Sequence, residues 1–311
     1  MTRDRTLAVL AGVFLVIAIA GPWVPPWALF ILTIATAKGL VALGLMLFMR
    51  AGLVSFGQAL YYCAGAYAAG GLGRFLGISD IFVMMAFGGL VAGLLGFILG
   101  FLLARYRGIF FGLLSLAFSM ILYGLLVKNE ALGSTDGFNI LPSTLFGIRP
   151  DQEWLRYAVA VAGAAVALGA AALVNRYLNT PLGRLAPAIR DNEIRVEYMG
   201  ASARYALHVK YVIAAVLAGI GGALAATTVG HIDPEMSYWT TSGEFVFMAI
   251  LAGTGSVAAP FAGALIFGII HTTAYDLSPN TWQMFLGTSL LLLIVFLPEG
   301  LWSLFKRKRA A

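Results

Sequence analysis

Charged residues are scarce in this chain. Of its 311 residues, 11% are charged and 60% are hydrophobic, whereas a soluble domain carries roughly a quarter charged residues. A water-soluble core cannot bury that much apolar surface. The composition therefore excludes a soluble globular protein, and no low-complexity stretch or soluble domain interrupts the hydrophobic sequence.

Several catalytic and structural patterns are also missing. The single cysteine, Cys63, excludes a disulfide framework. The three histidines lack metal-ligand spacing, and no G-x-x-x-x-G-K-[ST] phosphate loop occurs. Leu53 stands where a G-x-S-x-G nucleophile elbow around Ser55 requires glycine. We therefore predict no metal, no cofactor and no catalytic residue in this chain.

What the sequence has instead is a series of long apolar runs. About 20 apolar residues cross the ~30 Å hydrocarbon layer as one helix, and the 37 glycines favour close helix packing and helix breaks. We predict an all-α integral membrane protein, one transmembrane domain over residues 1–311 with about ten helices, some broken or re-entrant. The predicted spans are residues 7–24, 28–49, 52–73, 80–104, 108–127, 154–176, 207–229, 243–257, 260–274 and 281–298.

The distribution of charge predicts the orientation, because lysine and arginine accumulate on the cytoplasmic side. With the N-terminus inside, the inner segments hold fifteen basic and five acidic residues, and the outer segments hold four basic and nine acidic residues. This count places Lys210 in an inner segment and leaves only Lys38 within a span. Both termini are predicted to be cytoplasmic. The net charge of +6 follows from this topology, so we predict no nucleic-acid partner.

Two polar segments are longer than the other connections. Residues 128–153 are rich in turn residues and are predicted to form an extracytoplasmic loop. Residues 177–206 are predicted to be cytoplasmic, with Thr180 capping a helix that begins at Pro181 and ends before Gly200. An amphipathic helix between two spans is suited to dock on a soluble motor domain, and an ordinary surface helix is the alternative.

Polar residues inside the predicted spans are candidates for a solute path. Ser55, Gly57 and Gln58 place a hydroxyl, a bare backbone and an amide in one turn, where they either meet a solute or bridge helices. Lys38 lies near the membrane centre, where an ammonium is expensive unless it is paired. Its counter-charge is left open between a substrate carboxylate, an acid of a partner subunit and Glu244. A lysine that snorkels or faces a subunit interface is the alternative.

Five motifs occur in order along nearly the whole chain. They are AGLVSFGQALYYCAGAYAAG (51–70), RGIFFGLLSLAFSMILYGL (107–125) with GSTDG (133–137), the segment with PLGR, AIRDNE and AGIGGALAA (181–226), DPEMSYWTTSGEFVFMAILAGTGSVAAPFAGA (233–264) and LPEGL (297–301). With them, the sequence resembles the LivM-type permeases of branched-chain (hydrophobic) amino acid ABC importers. Three residues depart from the family pattern. The pattern has a small or apolar residue where this chain has Lys38, histidine where it has Gln58, and a helix-friendly residue where it has Pro187.

The resemblance implies a type II-like ABC importer permease in the bacterial inner membrane, a transport subunit rather than an enzyme. It implies a LivH-type permease partner, two ATPase subunits that bind the ATP, and a periplasmic substrate-binding protein. The implied ATPase-coupling residues are Pro181, Leu182, Gly183, Arg184, Arg190, Asp191, Glu193 and Gly200. The candidate residues of the translocation path are Lys38, Ser55, Gly57, Gln58 and Glu244.

The expected function is inward transport of a branched-chain amino acid or a similar small amphipathic solute. Urea, short amides and aromatic acids remain as other substrates. The alternative function is a stand-alone secondary transporter or channel, with Lys38 and Glu244 as its coupling or selectivity groups.

Overall fold

The protein is almost entirely α-helical in its computed structural model, which describes residues 6–149, 151–277, 281–296 and 300–302. The helices are α1 (Thr6–Ala20), α2 (Pro26–Met49), α3 (Gln58–Leu76), α4 (Ile81–Leu103), α5 (Gly108–Val127), α6 (Gln152–Asn179), α7 (Pro181–Tyr198), α8 (Ala203–Val229), α9 (Trp239–Ala252), α10 (Ala259–Leu277) and α11 (Trp282–Phe296). The two terminal segments and most of the LPEGL motif lie outside the described residues.

Five of the described helices are long and apolar enough to cross a membrane, namely α2, α4, α5, α6 and α8. They correspond to the predicted spans 28–49, 80–104, 108–127, 154–176 and 207–229. The prediction of an all-α protein with membrane-crossing helices is therefore confirmed. Short 3-10 turns cover Gly21–Trp23, Glu130–Leu132, Ser134–Asp136 and Pro234–Ser237.

Helix α8 is the centre of the bundle and packs on α2, α3 and α4. Its small residues permit this close approach, because alanine and glycine let neighbouring backbones come together. A Cβ on Gly222 would collide with the carbonyl oxygen of Tyr62, and one on Gly65 would collide with that of Gly219. Gly219 in turn lies against Gly88 of α4. Three helices thus meet through glycine.

Adding one methyl group at this glycine contact is expected to destabilise the bundle. In Gly65→Ala the new Cβ would meet backbone atoms of α8, which cannot move aside without separating the helices. We expect a loss of about 2 kcal/mol and a fall of roughly 5 °C in the midpoint of thermal unfolding in detergent. Gly169→Ala is the matched control, because nothing lies within 4 Å of its added Cβ, and an equal fall there would refute the packing argument.

The connections gather at two ends of the bundle. A two-stranded antiparallel ribbon, β1 (Phe138–Asn139) with β2 (His231–Ile232), pairs Phe138 with Ile232 and Asn139 with His231. Near it, Ser79 and Thr144 exchange hydrogen bonds between the loops before α4 and before α6. We call this the ribbon end. It contains most of the predicted loop 128–153.

At the opposite end, which we call the α7 end, α7 lies beside the loops that follow α2 and α4. Arg190 packs on Gly52, and Arg107 pairs with Glu193. Arg50 donates to the carbonyl oxygen of Thr254 at 3.0 Å. The structure thus places together three of the segments that the charge count assigned to the inner side, around Arg50, Arg107 and α7.

Helix α7 begins as its sequence predicts. Thr180 accepts a hydrogen bond from the Gly183 amide at 3.2 Å, with Pro181 in the first helical position. Helix α7 is kinked at Asn192, where φ is −161° and ψ is 100°, and the Asn192 side chain caps the second part by accepting from the Arg195 amide. Gly200 follows at φ +85°, in the left-handed region that glycine favours. Helix α7 is therefore two short helical pieces joined at Asn192.

Candidate translocation path and coupling surface

The third predicted span is broken, which corrects the expectation of a continuous helix over 52–73. Residues 51–57 are not helical, and α3 begins only at Gln58. The Phe56 amide donates to Ser115 Oγ at 3.2 Å, and Gly57 packs on the Ser115 carbonyl. Ser115 lies seven residues into α5, roughly 10 Å from its start. Ser55 and Gly57 therefore belong to an extended segment that enters the bundle from the α7 end.

A second break precedes α9 and enters from the ribbon end. Asp233 caps a 3-10 turn by accepting from the Met236 amide at 3.2 Å, and Ser119 Oγ of α5 donates to the carbonyl oxygen of Ser237 at 2.7 Å. Helix α9 then starts at Trp239, inside the bundle. We call residues 51–57 and 233–238 the two re-entrant segments.

The predicted spans 243–257 and 260–274 are joined at the α7 end, where the carbonyl oxygen of Thr254 accepts a hydrogen bond from Arg50. Helix α9 (Trp239–Ala252) begins and ends earlier than the predicted span 243–257, and α10 (Ala259–Leu277) extends beyond 260–274 at both ends. The extra residues of α9 lie on its N-terminal side, where the chain leaves the re-entrant segment.

The N-termini of α3 and α9 meet in the interior. The Ala59 amide donates to Ser242 Oγ at 3.3 Å, and the rings of Tyr62 and Phe245 make an edge contact with centroids 5.0 Å apart. Unpaired amide groups at a helix N-terminus favour negative charge. Two such termini inside one membrane protein are typical of the solute and ion sites of transporters.

Gln58 lies at this junction and is the least satisfied polar residue there. It is 1% exposed, and neither its amide nitrogen nor its amide oxygen has a hydrogen-bond partner among the described residues. Ser55, fully buried, accepts from the Gly57 amide at 3.3 Å. A buried amide without a partner is costly, so Gln58 stands out among the polar residues at this junction.

Lys38 and Glu244 form an ion pair, with Lys38 Nζ 2.9 Å from Glu244 Oε2. The sequence left three candidate counter-charges for Lys38, and the structure pairs it with Glu244, the candidate within this chain. The pair joins α2 to α9, five residues after α9 begins. His271 of α10 interacts electrostatically with both charges. The structure thus brings Lys38 and Glu244 together, but it places them on other helices than Gln58.

Lys210 corrects the charge count made from the sequence. It does not lie in an inner polar segment but inside α8, where it is 0% exposed. Its ammonium has no hydrogen-bond partner among the described residues. The predicted span 207–229 already contained this position. The hydropathy of the segment thus indicated a lysine within a helix, which the charge count did not take into account.

The predicted coupling residues occupy different environments on α7. Gly183 is buried against the Tyr177 carbonyl, and Leu182 packs on the small apolar cluster that joins α7 to α8. Arg184, Arg190 and Asp191 are exposed. Glu193, which the sequence offered as a contact for another protein, accepts a hydrogen bond from Arg107 Nε at 2.6 Å within this chain.

Beyond Asn192, α7 exposes apolar side chains that sequence reasoning missed. Ile194, Tyr198 and Met199 are 67%, 89% and 76% exposed. Ile194 and Tyr198 are four residues apart, which places them on one face of a helix. This spacing was the sequence feature that could have predicted an exposed apolar patch. Three large exposed side chains at the tip of a polar segment are typical of a protein-interaction site.

Comparison with known proteins identifies the family. Residues 27–296 match the family described as the permease component of the branched-chain amino acid transport system. This chain belongs to that family. The match spans both re-entrant segments, the Lys38–Glu244 pair and α7, so the family assignment applies to the whole site described above.

Two curated relatives carry the same description. The chain is 28% identical over 314 residues to the high-affinity branched-chain amino acid transport system permease protein LivM of Escherichia coli K12, a match that covers 92% of this chain and 73% of the relative. The LivM protein of Salmonella typhimurium LT2 matches with the same identity and coverage. The LivM resemblance seen in the sequence is thus confirmed. No solved structure matches the chain.

Proposed function

We propose that this chain is one permease half of a binding-protein-dependent ABC importer that moves a branched-chain amino acid or a similar small amphipathic solute into the cytoplasm. Its partners are a LivH-type permease, two ATPase subunits and a periplasmic binding protein, in the inner membrane of a bacterium. The observation that carries this proposal is α7, with its exposed apolar tip at one end of the bundle. A carrier that works alone has no need of it.

Ten crossings are consistent with the arrangement of the two ends. We assign these crossings to α1–α6 and α8–α11, with α3 and α9 each completed by the re-entrant segment that precedes it, and we place α7 at one end. We assign the α7 end to the cytoplasm because its segments are rich in arginine, which also places both termini there and residues 128–153 outside.

This orientation predicts the labelling of single cysteines by an impermeant reagent in intact cells. Thr135 and Arg204 are both exposed, Thr135 in the outer loop and Arg204 near the α7 end. We expect Thr135→Cys to be labelled and Arg204→Cys to be labelled only after the cells are permeabilised, each in a Cys63→Ala background. The reverse pattern would invert the topology.

The contacts of α7 explain how motion of an ATPase subunit reaches the solute path. Glu193 holds Arg107 at the start of α5, and Arg190 packs on Gly52, near the start of the first re-entrant segment. Within α5, Ser115 and Ser119 bind one re-entrant segment each. A shift of α7 therefore acts on both breaks through α5, which is the rigid element between them.

The two breaks supply the moving part of an alternating-access cycle. Half-helices that end inside the bundle rearrange at lower cost than continuous helices, and their free backbone groups offer partners to a solute. We assign Ser55, Gly57 and Gln58 to the path at the first break. Lys38 and Glu244 line it where α2 meets α9.

Purification of the chain with its natural subunits tests this proposal. We expect an affinity tag on this chain to recover a second permease and ATPase subunits as a stable complex, and Tyr198→Asp to release the ATPase subunits while the second permease stays. Thr135→Asp, at the ribbon end, is the matched control and leaves the complex intact. Solute flux through the purified chain alone would favour a secondary transporter or channel.

A further inference from the structure

The Lys38–Glu244 pair lies deep in the bundle. Lys38 is twelve residues after the start of α2 and eleven before its end, which places it roughly 18 Å and 16 Å from the two ends of that helix. On α2, the side chains from Leu40 to Phe48 are almost fully buried. The charged pair thus lies at mid-depth, directly beside the dry core of α2.

The pair is nevertheless open on one side. The side chains of Lys38 and Glu244 remain 25% and 20% exposed. One turn further along α9, Phe247 is 40% exposed on the same face as Glu244. Charged groups at this depth that faced lipid would be expensive, whereas charges that line a water-filled path are common. The cost of charge in hydrocarbon argues against lipid tails on the open side of the pair, and we assign that side to the path.

An open ion pair selects its ligand by charge. It presents one positive and one negative group side by side with no net charge. A solute with only a carboxylate or only an ammonium would leave one protein charge without a partner, which is strongly unfavourable away from bulk water. A solute with a carboxylate and an ammonium on the same carbon replaces the Lys38–Glu244 ion pair by two ion pairs, one with each protein side chain. No charge is then left without a partner. The neighbouring Phe247 offers a surface for an apolar side chain.

We propose that Lys38 and Glu244 form a binding site for a zwitterionic α-amino acid, whose carboxylate binds Lys38 and whose ammonium binds Glu244; this site rests on the proposed transport function. Because the protein pair must separate to admit the solute, binding is weak. Weak binding suits a transport path, since the solute must also leave. Gln58 and the N-termini of α3 and α9 form a separate group at the first break.

Competition binding distinguishes this site from a plain structural contact. The purified complex in nanodiscs, without the binding protein, is tested for tritiated leucine binding against leucinamide, which lacks the carboxylate, and 4-methylpentanoate, which lacks the ammonium. In the parent we expect leucine to compete at least tenfold better than either analogue. Lys38→Met should weaken leucine binding about tenfold, and leucinamide should then compete as well as leucine. Glu244→Gln should also weaken leucine binding about tenfold, and 4-methylpentanoate should then compete as well as leucine.

Two further variants make the result decisive. Lys38→Met/Glu244→Gln leaves no unpaired charge, so it assembles even where a single variant does not, and we expect it to lose the preference for leucine. Arg204→Met removes an exposed charge elsewhere and should keep the parent's preference. If the double variant keeps that preference, or if the parent binds leucine no better than the analogues, the pair is not a zwitterion site.

The two proposals fail differently. A wrong transport assignment would appear as a parent complex that shows no ATP-driven solute uptake in proteoliposomes. A wrong zwitterion site would appear as a complex with ATP-driven leucine uptake whose analogue preference is the same with and without the ion pair.

Discussion

Arg190→Pro is expected to abolish ATP-driven uptake while the membrane domain stays folded. Proline at this position removes the backbone hydrogen bond to Ala186 and costs about 3 kcal/mol in a helix interior. We expect the damage to stay at the α7 end, because the buried face of α7 packs on the first turn of α8, at Ala203 and Ala206, and on the last turn of α6, at Tyr177. We expect uptake to fall at least tenfold, with the complex's basal ATPase activity retained but no longer stimulated by loaded binding protein.

Arg190→Ala is the control for this experiment. It removes the same exposed charge but keeps the helix, and a single exposed charge contributes little to an interaction. We therefore expect near-normal uptake. Parental uptake and stimulated ATPase activity in Arg190→Pro would show that α7 is not the coupling element.

Gln58→Met is expected to have opposite effects on stability and on transport. Methionine keeps the length of glutamine but removes two buried polar atoms that lack partners. Since an unsatisfied buried amide costs about 1–3 kcal/mol, the variant should unfold at a higher temperature in detergent. If the amide is retained because it binds a passing solute, uptake should fall by roughly tenfold or more.

Thr36→Val serves as the control for Gln58→Met. Thr36 bonds the carbonyl of Leu32 within its own helix and lies away from both breaks, so we expect no loss of uptake there. A lower unfolding temperature for Gln58→Met would mean that the amide has a partner in the folded chain. An unchanged uptake rate would remove Gln58 from the path.

Local signals in the sequence predicted the parts of the fold that depend on local chemistry. Thr180 followed by Pro181 predicted where α7 begins, and Gly200 predicted its end. Apolar runs predicted the five long helices, because hydropathy over about 20 residues reflects the thickness of the membrane. These features need no knowledge of distant residues.

The two breaks could not be predicted in this way. SFGQA reads as part of an apolar span, but Ser115 of α5 supplies both the hydroxyl that binds Phe56 and the carbonyl on which Gly57 packs. The break before α9 depends likewise on Ser119. Each break is thus fixed by a helix far away in the sequence.

The charges inside the bundle show the same limit. Sequence reasoning identified Lys38 as a residue in need of a partner, but Glu244 is 206 positions away and only the packing of α9 on α2 brings the two together. The kink at Asn192 was also hidden, because its side chain caps the next helical piece from within an apparently continuous helix. Polar patterning therefore identified Lys38 and named Glu244 among its candidate partners, but it could not choose between the candidates.

ATP-driven leucine uptake tests the central claim most directly. The complex of this chain with its second permease and ATPase subunits would be placed in proteoliposomes, with ATP and the binding protein supplied on their appropriate sides. We predict leucine accumulation that requires ATP, the binding protein and an intact α7, and none from liposomes that hold this chain alone. Accumulation by the chain alone, or uptake by the complex that is indifferent to ATP, would contradict the account.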